Sequence, residues 1–442
     1  MSSELAEKQL QRIVQRSFEQ RRKKPRFIPG KTFIQYAGDV IGYEEVFAVL
    51  STLLEGRLAA GNRVEAFEKN LAQYLGVKHA VSVNSGSTAD FLSLMALKNE
   101  SSERPLHPGD EVVTCALSFS TVVSSIVHND LTPVFVDTNL GTYTIDVDSI
   151  ENSITEKTRA ILAVHLFGNP CNMERILDIA RRHNLYVIED CCDALGSSYK
   201  DQKVGSIGDM GTFSFYPAHQ ITLMEGGAIT TNNERLAYAL RSLRMWGKAL
   251  PCPFCGRNLS QSCHIRHNHN LEGMEDYDFN YLFLNLGFNV RITEIQGAFG
   301  LEQMNRLDDF IRARRRNFES IVDALRPYED MLILPSSERN TEPCWYCIPI
   351  TIRPEAGFNR AELAEFLTKS RIEYRYLFTG NILRQPAFRK IRCRTHGSLQ
   401  NSDLTTSNSF FVGCYPGITP EMREYMCERL SYFMDKHRKK RA

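Results

Sequence analysis

RAILAVHLFGNPCNMERILDIARRHNLYVIEDCC, residues 159–192, reads as strand, helix, strand. RAILAVHLFG is a short apolar run of the kind a strand buried on both faces carries. MERILDIARRHN has a helical pattern, and LYVIEDCC is again strand-like and ends on acidic residues. The same alternation extends outward on both sides. HAVSVNSG (79–86) is a strand and STADFLSLMAL (87–97) a helix, followed by EVVTCAL (111–117), STVVSSIVHND (120–130) and PVFVDTN (133–139) as strand, helix, strand. GTFSFYP (211–217) and GAITTNN (227–233) add two more strands. This rhythm predicts an α/β fold with a mostly parallel sheet covered by helices on both faces. Such sheets bind ligands at the carboxyl ends of their strands, where Glu189 and Asp190 stand.

The rest of the 442-residue chain is consistent with a folded enzyme. Hydrophobic residues make up 43% and charged residues 24%, ordinary values for a globular protein. Lys plus Arg is 53 against 52 for Asp plus Glu, a balance that argues against nucleic-acid binding through bulk charge. Mean hydropathy is −0.30, and no apolar run approaches the ~20 residues of a membrane span. The polar N-terminus lacks the apolar core of a signal peptide, so a cytoplasmic protein with no membrane role is expected. Residues 1–38 read as an N-terminal arm, 39–329 as a large domain with a cysteine-rich loop at 246–290, and 330–442 as a smaller C-terminal α+β domain. TEIQGAFGLEQMNRLDDFIRARRRNFESIVDAL (293–325) reads as one long bridging helical pattern. The basic runs Arg21–Lys24 and KHRKKRA (436–442) read as solvated faces. Of the 12 cysteines, which should be reduced in such a compartment, Cys252, Cys255 and Cys263 lie close together. Thiols grouped this way are candidate metal ligands.

Three motifs carry chemistry. NSGSTAD (84–90) ends a strand at Gly86 and opens a helix, so that backbone N–H groups and the helix dipole form an anion site; Ser87 and Thr88 serve equally well as helix caps. VIEDCCDALGSS (187–198) puts a carboxylate at a strand end, where it can hold a protonated ring nitrogen or act as a structural ion pair. TFSFYPAHQITLMEGGAITT (212–231) carries a single His219 on a strand turn. Phe119, in ALSFST, follows the strand after the 84–90 loop, where a flat ring could stack on it.

This layout resembles the fold-type I pyridoxal-phosphate enzymes, with the aspartate aminotransferase-like fold. It resembles more closely the sugar aminotransferase family acting on nucleotide-linked keto-sugars. The matching stretches include IPGKTFIQYAG (28–38), VHLFGNPCNM (164–173), FSFYPAH (213–219), EGGAITTNN (225–233), LGFNVRITEIQGAFGLEQ (286–303) and FVGCYPGIT (411–419). One departure matters: the family's aminotransferases carry, where His219 stands, the lysine that holds the coenzyme covalently. An imidazole acts instead as a general base near neutral pH. This is similar to the 3-dehydrase branch, which works with pyridoxamine 5′-phosphate (PMP), and His219 is the base that removes a proton from the coenzyme's C4′. The resemblance further implies that Gly86, Ser87 and Ser214 contact the phosphate, Phe119 stacks on the ring and Asp190 pairs with the pyridine nitrogen. Asp193 would lie beside the ring, Tyr216 on the turn of His219, and Asn289 would reach the phosphate from a neighbouring subunit, implying a homodimer. Arg375 and Asn381 are candidates for substrate contact.

The cysteines resemble those of the branch typified by CDP-4-keto-6-deoxy-D-glucose 3-dehydrase, which holds a [2Fe-2S] cluster. Its ligand set implies Cys192, Cys252, Cys255 and Cys263 here, with Cys191 as the alternative to Cys192. Two residues, Pro253 and Phe254, separate Cys252 from Cys255 where that branch has one. A zinc site including His264, His267 and His269, or free thiols, are the other readings, and CWYC (344–347) reads as core. A cluster dependence implies a flavin- and NADH-dependent reductase as partner, and a 4-keto-6-deoxyhexose linked to CDP, or to dTDP, as substrate. The rivals are a hydrolytic dehydrase recharged by glutamate, an aminotransferase using Lys203 or Lys248, and a non-enzymatic zinc-binding protein.

Overall fold

The computed structural model describes residues 3–21, 26–56, 58–100, 102–249, 272–275 and 277–441. The apolar runs form the strands of one sheet: β1 (His79–Val83), β2 (Glu111–Cys115), β3 (Thr132–Val136), β4 (Thr158–Val164), β5 (Tyr186–Asp190), β6 (Met210–Ser214) and β7 (Gly227–Thr231). Every residue of β2, β3, β5 and β7 is buried. That explains why these strands read as continuous apolar runs rather than alternating ones. A smaller antiparallel sheet comprises β8 (Leu332–Ile333), β9 (Cys347–Ile352), β10 (Tyr374–Tyr376) and β12 (Ser409–Gly413), in the order β8-β9-β12-β10. Between its last two strands the chain sends β11 (Arg394–Thr395) back to the large sheet, whose order is β1-β7-β6-β5-β4-β2-β3-β11. Only β7 runs antiparallel to its neighbours in that sheet.

Local chemistry sets the element ends. The helix Met173–His183 is capped by Asn172, whose Oδ1 accepts the Arg175 N–H, and it stops at Asn184 in the left-handed region, where asparagine is tolerated. The helix Gly86–Leu97 is capped by Ser85, whose Oγ accepts the Thr88 N–H at 3.1 Å. The cap is thus the residue before Gly86, which leaves Ser87 on the first turn. The long pattern at 293–325 is two helices, Glu294–Asn305 and Leu307–Leu325, and not one. They part at Arg306, whose guanidinium reaches Glu45 at 3.0 Å and the Val40 carbonyl at 3.3 Å.

One apolar cluster runs from Val113 and Ile161 of the large sheet to Ile350 and Phe411 of the small one. The helix Leu307–Leu325 joins the two layers, with Phe318 stacked on Trp345 at 4.1 Å. Within the N-terminal region, read from sequence as an arm, lies a 19-residue helix, Ser3–Arg21. Further on this region is stitched in by an Ile34–Ile372 bridge and by the Tyr36 N–H bonded to Glu373 at 3.0 Å. Among the described residues no helix is long and apolar enough to cross a membrane.

Candidate active site

A cavity of ≈ 370 Å³ opens at the carboxyl ends of β5 and β6, against the first turn of Gly86–Leu97. Gly86, Ser87, Phe119, Asp190, Asp193, Ser214, Tyr216 and His219 all line it. Asn289 does not. It bridges the Met245 backbone and its Oδ1 accepts from Arg291 Nε at 3.3 Å. Asn381, buried, bonds Asp403 at 2.7 Å and caps the turn at Leu383, and Arg375 pairs with Glu373. Neither lines the cavity. Nor do the alternative lysines: Lys203 lies over the Tyr74 ring and Lys248 near Trp246 and Tyr281. Among the described residues lining the cavity there is no lysine.

The floor suits a phosphate. A Cβ added to Gly86 would lie 2.5 Å from Ser214 Cβ and 2.8 Å from Cys192 Sγ, so only glycine lets this backbone approach β6. Ser87 Oγ bonds Thr121 Oγ1 at 3.0 Å, and the Tyr216 N–H reaches Ser214 Oγ at 3.4 Å. Phe119 stands at the start of the helix Ser120–His128, 49% exposed, with only an edge contact to Phe378 at 6.0 Å between centroids. A flat ring bound in the cavity would cover that face.

The acids of β5 divide their roles through the pleat, because neighbouring residues of a strand face opposite sides. Asp190 faces the cavity, where its Oδ1 accepts the Cys192 N–H at 2.9 Å. Burial raises its carboxyl above the ordinary range. Asp90, bonded to Thr212 Oγ1 at 2.6 Å, lies beside it and is raised by burial and by the Asp190 charge. Glu189 faces away. It accepts the N–H groups of Gly205 at 3.0 Å, Ile207 at 2.8 Å and Gly208 at 2.7 Å, and meets His165 Nε2 at 3.1 Å. The Cys171 N–H donates to His165 Nδ1 at 2.9 Å, which leaves the imidazole proton on Nε2, directed at Glu189. Glu189 is therefore structural. Glu189→Ala strands four donors, two of them fully buried, and is expected to lower stability by about 3 kcal/mol, read as a fall in the urea midpoint. An unchanged midpoint would remove it from this framework.

His219 and Asp193 face each other with Nδ1 and Oδ1 3.6 Å apart, too far for a hydrogen bond. Burial, then the Arg314 cation, holds His219 far below its usual value, at about 3. Burial, then Asp190, lifts Asp193 to about 7. At neutral pH the imidazole is uncharged and the contact is no ion pair. Asp193 Oδ2 also accepts the Phe167 N–H at 3.2 Å. Phe167 sits at φ 57°, a left-handed conformation that an aromatic residue adopts only when its surroundings enforce it.

Of the thiols, Cys192 lines the cavity, its Sγ within 4.8 Å of the Asp90 and Asp190 carboxylates, while Cys191 does not line it and groups instead with His165 and Glu189. Burial, followed by the Asp190 charge, pushes the Cys192 thiol well up, so a thiolate here needs a positive partner such as iron. Cys252, Cys255, Cys263 and the histidines His264, His267 and His269 lie outside the described residues. Cys344 and Cys347 are buried in the core. Sequence reasoning missed Tyr36, His165, Tyr346 and Phe378, which also line the cavity. Tyr36 and His165 stand inside the quoted stretches 28–38 and 164–173 without a chemistry-bearing pattern of their own, and Tyr346 and Phe378 come from the C-terminal part of the chain.

Comparison with known proteins agrees with this architecture. The chain is 40% identical over 409 residues to lipopolysaccharide biosynthesis protein RfbH of Salmonella typhimurium, covering 92% of this chain and 93% of that one. It is 40% identical over 423 residues to dTDP-4-dehydro-2,6-dideoxy-D-glucose 3-dehydratase of Saccharopolyspora spinosa, covering 95% and 91%. Among solved structures, E. coli GDP-4-keto-6-deoxy-D-mannose-3-dehydratase with bound hydrated PLP superposes with a TM-score of 0.81 at 30% identity, covering 90% of this chain and 99% of that one. The fold is that of the pyridoxal-phosphate-dependent aminotransferase-like proteins. With residues 39–431 matching its model, the chain belongs to the DegT/DnrJ/EryC1/StrS aminotransferase family.

Proposed function

We propose that the protein is a nucleotide-sugar 3-dehydrase that removes the C3 hydroxyl of a 4-keto-6-deoxyhexose, using PMP, in dideoxysugar biosynthesis. The observation that carries this reading is His219 on the cavity wall where a covalently bound coenzyme would need a lysine, with no lysine lining that cavity among the described residues. When bound, the coenzyme supplies an amine for the C4 ketone and an electron-withdrawing ring. Gly86, Ser87 and Ser214 would hold its phosphate, Phe119 its ring face and Asp190 its ring nitrogen. Neutral His219 takes the proton at C4′, and the apolar walls formed by Tyr346 and Phe378 limit water around it. The names of the relatives from S. spinosa and E. coli, both 3-dehydratases, support the reaction class.

The finer reading is a cytoplasmic homodimer in which Asn289 reaches the neighbouring site. In it, Cys192 joins Cys252, Cys255 and Cys263 around a [2Fe-2S] cluster, since four thiolates make such a ligand set. A separate flavin- and NADH-dependent reductase then feeds electrons to C3, and CDP is the favoured nucleotide. A second reading, hydrolytic turnover with glutamate recharging the coenzyme, is favoured by a solved 3-dehydratase with a trapped PLP-glutamate geminal diamine, 30% identical to this chain. Iron and acid-labile sulfide analysis of anaerobically purified protein, with turnover of CDP- and dTDP-4-keto-6-deoxyglucose, separates them. Bound iron and sulfide, with product formed only when reductase and NADH are present, are expected. Glutamate-driven turnover by iron-free protein would establish the second reading instead.

A further inference from the structure

The run RARRR, residues 312–316, looks from sequence like a solvated basic face. Arg312 and Arg316 are exposed, but Arg314 is only 2% exposed. Among the described residues no carboxylate pairs with it. Its Nη2 donates to the carbonyls of His219 at 2.7 Å and Ala218 at 3.2 Å. Its Nη1 donates to those of Tyr346 at 2.9 Å and Trp345 at 3.5 Å. Burying a cation without an acid is costly, and the four carbonyls this one bonds belong to the two segments flanking one imidazole, with the Cys414 thiol also beside it. The Tyr346 ring lies 5.4 Å from that of His219. Among the described residues His219 has no orienting side-chain bond: its Nδ1 has no hydrogen-bond partner there, and Asp193 stands 3.6 Å away. Its backbone is the remaining handle, through the His219 N–H to the Tyr216 carbonyl and the Arg314 bond to its own carbonyl.

We propose that Arg314 is a positioning residue for His219, its guanidinium clamping the turn of His219 to the Trp345–Tyr346 segment so that an otherwise unanchored imidazole is held at the cavity. This rests on His219 being the base, as proposed above. A planar fork can span four carbonyls from one site, and an ammonium cannot.

The test compares Arg314→Lys and Arg314→Met with Arg315→Met. Arg315, on the same helix, donates to the carbonyls of Pro343 and Glu342 and leaves the base turn alone. C4′ proton exchange at saturating PMP and 4-keto-6-deoxyhexose nucleotide is expected to fall about 100-fold in both Arg314 variants, the scale of an ångström-sized misplacement. The PMP dissociation constant should change less than about threefold, because the variants leave the phosphate loop intact. In coenzyme-free protein, carbethoxylation of His219 should rise about tenfold in Arg314→Lys as the turn opens more often, and stay at the wild-type rate in Arg315→Met. Arg314→Lys retains the charge and is the variant to rely on if Arg314→Met does not fold. Wild-type exchange in Arg314→Lys, unchanged labelling, or equal losses in the Arg315 control would each overturn the proposal. If His219→Asn abolishes exchange while the Arg314 variants retain it, the base stands and the clamp falls. If His219→Asn leaves exchange intact, the base assignment itself fails.

Discussion

His219→Asn protein is expected to bind PMP with wild-type affinity and to lose C4′ proton exchange by about 10²–10⁴-fold, the usual contribution of a positioned general base. The reasoning is geometric first. His219 lines the cavity opposite Asp190 and Asp193 and is neutral at physiological pH, so it can accept a proton without first losing one. Asparagine preserves size and polarity but has no basic nitrogen. Because the turn is held by backbone bonds, from His219 N–H to Tyr216 and from Arg314 to the His219 carbonyl, the substitution should leave the cavity's shape alone. Deuterium exchange at C4′, followed by NMR with PMP and a 4-keto-6-deoxyhexose nucleotide present, reads the step without reductase. Exchange at the wild-type rate would move the base to another residue.

The second large effect is expected at Gly86. Gly86→Ala should weaken PMP binding by about 3 kcal/mol or more, the worth of two charge-assisted bonds at ~1.5–3 kcal/mol each. The new methyl would stand 2.5 Å from Ser214 Cβ and 3.1 Å from Ser214 Cα. Backbone cannot swing aside as a long side chain does, so the helix start and the end of β6 must separate. That withdraws the N–H groups of the first turn and the Ser214 hydroxyl together. Equilibrium dialysis with PMP, alongside a thermal melt to verify folding, reads the effect. Wild-type affinity in a folded Gly86→Ala protein would remove the phosphate from this loop.

The large sheet was legible because its strands are buried on both faces and say so in unbroken apolar runs such as ILAV and YVIED. The turn at Gly86 and the carboxylate end of β5 were legible because strand ends in such sheets carry special residues. The residue pattern alone did not separate Asp190 from Glu189; the family resemblance picked Asp190, and strand alternation gives the physical reason, since only one of two consecutive residues can face the cavity. Arg314 was hidden for a different reason. Nothing in RARRR distinguishes the one arginine turned inward, because its partners are carbonyls at residues 218, 219, 345 and 346, and a carbonyl leaves no mark on composition. The break at Arg306 was missed for the same kind of cause, a contact with Glu45 some 260 residues away. Asn289 stays away from the cavity of its own chain, which sequence alone could not decide either way.

β11 has a consequence for how the chain is made. Arg394 and Thr395 pair with Val134 and Phe135 and close the outer edge of the large sheet, and the Arg394 guanidinium straddles both carboxylate oxygens of Glu111 at 3.0 and 2.8 Å. During synthesis the first seven strands leave the ribosome long before this segment does. Until residue 394 emerges, β3 presents an open row of backbone donors and acceptors, the kind of edge that recruits strands from other chains, and Glu111 lacks its cation. At ~5–20 residues per second, the interval between β3 and β11 lasts tens of seconds. Association through the β3 edge is therefore expected to be more favourable during that interval than after β11 has paired with Val134 and Phe135.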